Sequence, residues 1–294
     1  MKRKTAIVVM LMILIGITPA ARADVGPKPS MKVHCTNLPA GEVYLDLLID
    51  DPPVEDDRGF RFGVMDQEAA EEKKAAYNSA MIAILESYNV SGWRPALVTG
   101  THIPLWAELR LDVENGAATA SFDYMGVPSR FKIIVVTESG GTVISNVVET
   151  KAFQNVVNFD YATGKAAERS PATQTLLMFA VTSALTLLIE GLILKPFKFS
   201  FKKNWRPFLF VNLITQILLS ALLSFGMLSG GMLVALFMYM FAEIAIVLIE
   251  MLLFIFLFKE QSKLRRAMYG IVANIASFIV GFFLWGLLGM ILSM

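Results

Sequence analysis

Two carboxylates lie within the most apolar stretch of the chain, where an ionisable side chain is unexpected. The stretch from Gly231 to Phe258 contains Glu243 and Glu250, yet it exceeds the about 20 apolar residues that cross the hydrocarbon core of a bilayer. The two glutamates lie seven residues apart and therefore share one face of a helix. A charge at the centre of a membrane helix costs about 2.5–3.5 kcal/mol, so such residues usually have a partner or a role.

Polar side chains in the neighbouring apolar stretches fall at a similar depth. We measure the depth of each residue along its helix from the nearest basic loop, at about 1.5 Å per residue. Most of them lie about 8 to 15 Å from that loop, and Glu243 lies further from it. Helices that alternate in direction would bring these side chains together. We therefore predict an intramembrane polar layer made of Glu190, Asn212, Gln216, Glu243, Glu250, Asn274 and Ser277.

Three interpretations of this layer remain open. Its carboxamides could hydrogen-bond the glutamates as glue between helices, at about 0.6 kcal/mol for each bond. Alternatively, Asn212, Gln216, Glu250 and Asn274 could line a wet path for a proton or a cation. In the third interpretation, one of the glutamates is the general base of an intramembrane hydrolase.

Other signals for chemistry are weak. The only histidines, His34 and His102, precede the apolar stretches, and the chain has no phosphate-binding P-loop and no GxSxG serine motif. Cys35 is the only cysteine, which excludes an intramolecular disulfide and a cluster of thiolate metal ligands. We therefore predict no catalytic residue, no metal site and no cofactor, and we favour a protein that is not an enzyme.

Four apolar stretches follow residue 171, and the loops between them differ in charge. The loops Lys195–Arg206 and Lys259–Arg266 hold all 9 basic residues of segment 171–294, whereas the turn Leu228–Gly231 has none. The positive-inside rule places both basic loops in the cytoplasm and the preceding domain outside. We predict a four-helix transmembrane domain at 172–294, with spans at about 172–194, 207–227, 232–258 and 267–292.

The segment before these stretches is acidic and has the pattern of β-strands. Residues 24–170 hold 21 acidic and 13 basic side chains, a net charge of −8, so no nucleic-acid partner is expected. Alternating apolar residues on both sides of Asn115-Gly116 are typical of a β-hairpin. With about seven such strands and one helix over Asp66–Ser87, we predict a small β-rich, sandwich-like α+β domain at 24–161 and a linker at 162–171.

The first 23 residues have the pattern of a secretory signal peptide. Lys2, Arg3 and Lys4 precede an apolar run from Ala6 to Ile17, and Ala21-Arg22-Ala23 is a typical cleavage site. We expect cleavage after Ala23, with an uncleaved anchor helix as the alternative. A secreted domain with a single cysteine fits a bacterial envelope, so residues 24–170 are expected to be extracytoplasmic on a multi-pass protein of the cell membrane.

The order of these features resembles a known group of proteins. The start DVGPKPS at 24–30 and a β-rich domain precede four polar motifs in the apolar stretches: Glu190-Gly191, Asn212-x-x-Thr215-Gln216, Glu243-x6-Glu250 and Asn274-x-x-Ser277. This pattern is similar to a group of uncharacterised bacterial membrane proteins, mostly of Gram-positive type and sometimes labelled transporter permeases. The resemblance covers the whole chain and implies no established activity or catalytic residue.

Together these patterns favour an integral membrane protein of the bacterial envelope that binds or senses a ligand through its outer domain. The expected partners are the lipid bilayer and either other membrane subunits or further copies of the chain, and the ligand of the outer domain is unknown. The alternatives are a small transporter component and, third, the glutamate-dependent hydrolase. A hydrophobic content of 55% and a mean hydropathy of +0.57 fit all three.

Overall fold

The chain forms a β domain followed by long apolar helices. This computed structural model describes residues 26–52, 61–64, 66–170 and 172–292. The predicted signal peptide at 1–23 therefore lies outside the described residues. The β-sheet region covers residues 30–168, which confirms a β-rich domain before the helices.

The described strands form two sheets that enclose one apolar core. The first sheet has the strand order β10-β9-β1-β5-β4, and the second has the order β3-β2-β6-β7, with β8 also pairing to β6. Only β1 and β9 run parallel among the described pairs. The strands are β1 (Ser30–Thr36), β2 (Val43–Ile49), β3 (Arg94–Pro95), β4 (Trp106–Ala107), β5 (Ala118–Asp123), β6 (Arg130–Thr137), β7 (Thr142–Ile144), β8 (Val148–Glu149), β9 (Gln154–Asp160) and β10 (Lys165–Glu168).

Strand β2 is buried along its whole length because both of its faces are covered. One face lies in the core between the sheets, and the short helices α2 (Ser79–Ser87) and α3 (Ala96–Thr99) pack over the other side of the second sheet. The single helix expected over 66–87 is instead two helices, α1 (Gln67–Ala75) and α2. Asn78 separates them, since its side chain accepts a hydrogen bond from Ala80 N at 3.0 Å and so begins a new helix.

Two further features of the β domain differ from the sequence expectation. The segment before the Asn115-Gly116 turn bonds mainly to β2, with Leu45 N donating to Leu109 O at 2.9 Å, rather than forming a long hairpin with β5. Part of the expected linker is strand β10, an edge strand paired with β9. In both places a partner that is distant in sequence supplies the hydrogen bonds, which local patterns do not reveal.

Three described helices are long and apolar enough to cross a membrane: α4 (Ala172–Ile193), α5 (Phe201–Leu257) and α6 (Lys263–Leu292). Helix α5 is folded back on itself at Gly231, where the backbone leaves the helical region with φ 70° and ψ −164°. A methyl group on Gly226 would come within 3.0 Å of Ala235 Cα, so its two arms, 201–230 and 232–257, lie side by side. Large apolar side chains cover the outer faces of the helices; Phe241, for example, is 71% exposed.

The helix domain has two different ends. At one end, the α5 hairpin turn, which we define as Leu228–Met232, contacts the start of β9: Phe153 N donates to Leu228 O at 3.0 Å, and Met232 N donates to Gln154 Oε1 at 3.4 Å. At the other end, the two basic loops pack on each other. There Glu260 accepts from Ser200 N at 2.8 Å and pairs with Lys203 at 2.9 Å, and these donors hold the pKa of Glu260 below its usual value.

Candidate polar site between the helices

Six of the seven residues predicted to form the polar layer are buried between the helices, and two hydrogen-bonded groups form around two of them. Glu250 and Glu190 are the centres of the two groups, and each glutamate bonds to α6. Glu243 is only partly buried and lies apart from both groups, on the same arm of α5 as Glu250. The buried residues are Glu190, Asn212, Gln216, Glu250, Asn274 and Ser277.

Glu250 joins the two arms of α5 to α6. Its Oε1 accepts a hydrogen bond from the hydroxyl of Thr215 on the other arm. Its Oε2 accepts one from Asn274 Nδ2 on α6, at 2.9 Å. The donors come from residues 24 and 35 positions away in the chain, so Glu250 ties three helical segments together.

Glu190 joins α4 to α6, but one of its carboxylate oxygens accepts no hydrogen bond within the described part of the chain. Oε1 accepts from Ser277 Oγ at 2.9 Å, and the backbone oxygen of Glu190 accepts from Tyr269 OH at 3.1 Å. Among the described residues, Glu190 Oε2 has no hydrogen-bond partner, and neither does Oδ1 of the adjacent Asn212. Two buried acceptors side by side lack a donor, which a proton, a water molecule or a small cation would supply.

A small polar cavity adjoins these groups on the side of the hairpin turn. Its volume is about 40 Å³, enough for a small number of water molecules. Gln216 on its wall donates to Thr186 Oγ1 at 3.4 Å. Glu243 on the other arm of α5 also lines the cavity, one helical turn from Tyr239, with which it is hydrogen-bonded. The further polar residues around the cavity are Thr182, Ser220, Asn274 and Ser277.

Most donors in the two groups are also satisfied within their own helices. The Thr215 hydroxyl lies 3.1 Å from Val211 O, Asn274 Nδ2 donates to Gly270 O at 2.9 Å, and Ser277 Oγ lies 3.0 Å from Asn274 O. Such shared hydrogen bonds are typical of helix packing in membranes and cost little to break. By contrast, the acceptors Glu190 Oε2 and Asn212 Oδ1 have no hydrogen-bond partner among the described residues.

The predicted polar layer left out several members of this site, although Thr215 stands in the motif Asn212-x-x-Thr215-Gln216. Thr215, Thr186, Tyr239 and Tyr269 all bond to a predicted residue or line the cavity. For Thr215 a signal was available, because it lies three residues after Asn212 and on the same helical face. Tyr239 likewise lies four residues before Glu243. Threonine and tyrosine are common in apolar helices, so neither spacing identified them.

The β domain has its own buried ionisable groups. Asp46 in β2 is completely buried, and its carboxylate accepts from Leu97 N at 2.9 Å and Val98 N at 3.1 Å. Burial raises the pKa of Asp46 from its ordinary value of 3.8 to about 7, and these backbone donors oppose the shift. Burial also raises the pKa of the Cys35 thiol to about 12, so Cys35 is a core residue rather than a nucleophile.

Comparisons with known proteins do not place the chain in a family. It matches no protein-family model, and no curated protein and no solved structure is significantly similar to it. The resemblance to a group of bacterial membrane proteins therefore stays a prediction.

Proposed function

We propose that the protein is a four-pass, non-enzymatic membrane protein of the bacterial envelope, whose extracytoplasmic β domain binds or senses a ligand. Each arm of α5 exceeds the about 20 residues needed to cross a bilayer. With α4 and α6 this gives four crossings, and the two basic loops face the cytoplasm. Its partners are the lipid bilayer and either other membrane subunits or further copies of the chain.

The contact between β9 and the hairpin turn is the observation that carries this proposal. A ligand-binding domain on a flexible tether could not pass a structural change to its membrane part. Here Phe153 and Gln154 bond directly to Leu228 and Met232, and these two residues lie in the turn between the arms of α5. A movement of β9 would therefore move the turn between two membrane-crossing arms.

Crosslinking tests this contact. In a Cys35→Ser background, Gln154→Cys and Met232→Cys are combined and treated with a short bis-maleimide in native membranes. We expect efficient intramolecular crosslinking, because Gln154 Oε1 lies 3.4 Å from Met232 N. The matched control combines Ala162→Cys with Met232→Cys, since Ala162 follows the far end of β9, about 20 Å from Gln154.

Crosslinking of the first pair without the control pair would support the coupled arrangement. If neither pair reacted in a folded protein, the β domain would be a tethered domain and the sensing proposal would fail. Crosslinking of both pairs would equally contradict it, since a domain that reaches the turn with either end is not held by β9.

A path for a proton or a cation is the second candidate, and one observation favours it. The unpartnered oxygens of Glu190 and Asn212 lie near a polar cavity that includes Gln216 and Glu243. Such buried acceptors call for a bound proton, water molecule or ion, and a path would supply each of these. In this alternative the chain is a small transporter component, and an ion or proton passes along Glu250, Gln216, Asn212 and Asn274.

Water access separates the two candidates. Gln216→Cys and Ser277→Cys, each in the Cys35→Ser background, are probed with a membrane-impermeant maleimide from both sides of the membrane. Labelling would favour the path, and Glu250→Gln should then abolish proton flux while leaving the thermal midpoint nearly unchanged. Protection of both cysteines in a folded protein would leave the polar groups as packing contacts.

The identity of neighbouring genes is a further discriminator: an ATPase gene favours transport, and a kinase or regulator gene favours sensing.

A further inference from the structure

One edge of the β domain exposes a group of large apolar side chains. Ile103, Trp106 and Met125 are 53%, 47% and 50% exposed. The Trp106 ring stacks on Tyr124 with centroids 5.0 Å apart and an angle of 11° between the planes. We call Ile103, Trp106, Tyr124 and Met125 the apolar edge patch. Exposed apolar residues are common singly, but a contiguous group indicates a contact surface.

The backbone holds this patch in a fixed shape. Gly126 N donates to Pro104 O at 2.7 Å, which joins the loop of Ile103 to the loop of Met125. A methyl group on Gly126 would lie 2.4 Å from Ile103 O, so only glycine allows this approach. Tyr124 has a φ of 83°, a conformation that is unfavourable for an aromatic residue. Strain of this kind persists only where the surrounding structure enforces it, so the turn holds the Tyr124 ring against Trp106.

Strand register places the patch at the end of the β domain that meets the helices. Ser30 is in register with Gln154 of β9 and with Asp123 of β5, and Asp123 is in register with Trp106. These residues form one row across the first sheet. Because Gln154 contacts Met232 of the hairpin turn, the whole row lies at that end. Strand β10 also leads to α4 there, within a few residues.

The patch and the start of α4 lie at opposite edges of the first sheet. In the order β10-β9-β1-β5-β4, strand β10 leads into α4, and β4 carries Trp106 at the opposite edge. Three strand spacings separate Gln154 from Trp106, a lateral distance of about 14 Å. That is more than the about 10 Å diameter of one helix, so the patch lies well to one side of the contact between Gln154 and Met232.

We propose that the apolar edge patch is a lipid-docking surface, seated in the headgroup layer of the outer leaflet. Tryptophan and tyrosine prefer this layer because their rings are amphipathic. Lys28 Nζ lies 5.6 Å from the centre of the Tyr124 ring, next to the patch, where it suits an anionic headgroup. The surface holds the β domain upright on the bilayer, so that β9 stays against the hairpin turn.

Quenching by spin-labelled lipid tests the proposal on the full chain. Met125→Cys in the Cys35→Ser background is labelled with a fluorophore and placed in single-chain nanodiscs of phosphatidylcholine and phosphatidylglycerol. Some of the lipids carry a nitroxide near the headgroup. We expect these lipids to remove most of the fluorescence at Met125→Cys and little at Ala162→Cys, at the far end of β9. Changing Ile103 and Trp106 together to serine should reduce the quenching at Met125→Cys.

This inference rests on the membrane placement proposed above, and the control for that placement is Phe241→Cys, probed with lipids that carry the nitroxide midway along the acyl chain because Phe241 lies about 15 Å from the hairpin turn. If Phe241→Cys is quenched but Met125→Cys behaves like Ala162→Cys, the lipid-docking surface is wrong and the membrane placement stands. If Phe241→Cys also escapes quenching, the membrane placement itself fails. A fluorescence change at Met125→Cys that requires two chains in one nanodisc, without quenching by lipid, would overturn the proposal in favour of a second copy.

Discussion

At the scale of single residues, the sequence predicts a role best where a polar or charged side chain lies among apolar neighbours. Glu250 stands out because its neighbours are apolar, and it proves to be buried with two hydrogen-bond donors. Asp46 also interrupts an apolar run, Val43–Ile49, but an aspartate within a strand is normally expected on the solvent face. Its partners Leu97 and Val98 lie more than fifty positions later, and no local pattern identifies them.

Asp46 should make the stability of the β domain depend on pH. Its pKa is raised in the folded chain, from 3.8 to about 7, so folding is favoured by protonation of this group. The resulting stabilisation is complete below pH 3.8 and is lost as the pH rises through about 7. Hydrogen exchange of the β2 amides in the full chain should therefore become faster over this range.

The substitution Asp46→Asn should flatten this pH dependence, and Asp112→Asn, at an exposed position, should leave it unchanged. Asp46→Ala removes the acceptor of Leu97 N and Val98 N and should cost about 1–3 kcal/mol. Slower exchange at higher pH, after correction for the intrinsic rate, would contradict the assignment.

Cys35 should be unreactive in the folded protein. It is buried in the core of the first sheet, and burial raises the pKa of its thiol to about 12, so almost no thiolate is present at neutral pH. A maleimide should label the native protein at Cys35 only after denaturation. Rapid labelling of native Cys35 would mean that β1 opens readily.

At the scale of elements, prediction succeeds where period and turn chemistry are strong. The bounds of β2 agree with the apolar run Val43–Ile49, and the break in α5 lies within the predicted turn Leu228–Gly231. It fails where a distant partner decides. Strand β10, for example, exists because β9 offers an edge. The division of the helix over 66–87 is a local failure of prediction, because Asn78 caps a second helix through the nearby Ala80 N.

Gly231 in the hairpin turn of α5 should tolerate alanine poorly. Its φ of 70° is strained for any side chain, and a methyl group would lie 2.9 Å from Gln154 Oε1. The matched control is Gly140→Ala, where φ is 83° and no atom lies within 4 Å. Strain of this kind costs about 1–3 kcal/mol, and both substitutions introduce it.

Gly231→Ala should lower the thermal midpoint in nanodiscs more than Gly140→Ala does, because Gly231 has the contact with Gln154 and its ψ of −164° lies in a region that is essentially restricted to glycine. Combining Gly231→Ala with Gln154→Ala should recover part of the difference. Equal effects of the two glycine substitutions would indicate that the hairpin turn does not contact β9 in the membrane.

At the scale of the whole molecule, the central claim is that the β domain and the hairpin turn lie together on the outer side of the membrane. The sequence predicts this arrangement from the charge of the loops, and the bonds from Phe153 and Gln154 to the turn agree with it. The lateral position of the apolar edge patch could not be predicted, because it depends on the register of strands far apart in the chain.

Cysteine accessibility from each side of the membrane tests this claim most directly. Ala162→Cys in the β domain, Ser229→Cys in the hairpin turn and Ser262→Cys in a basic loop are all exposed positions. Each is treated with an impermeant maleimide in intact cells and in inside-out vesicles. We predict that Ala162→Cys and Ser229→Cys react in cells, and that Ser262→Cys reacts only in vesicles. Reaction of Ser229→Cys and Ser262→Cys from the same side would contradict the account.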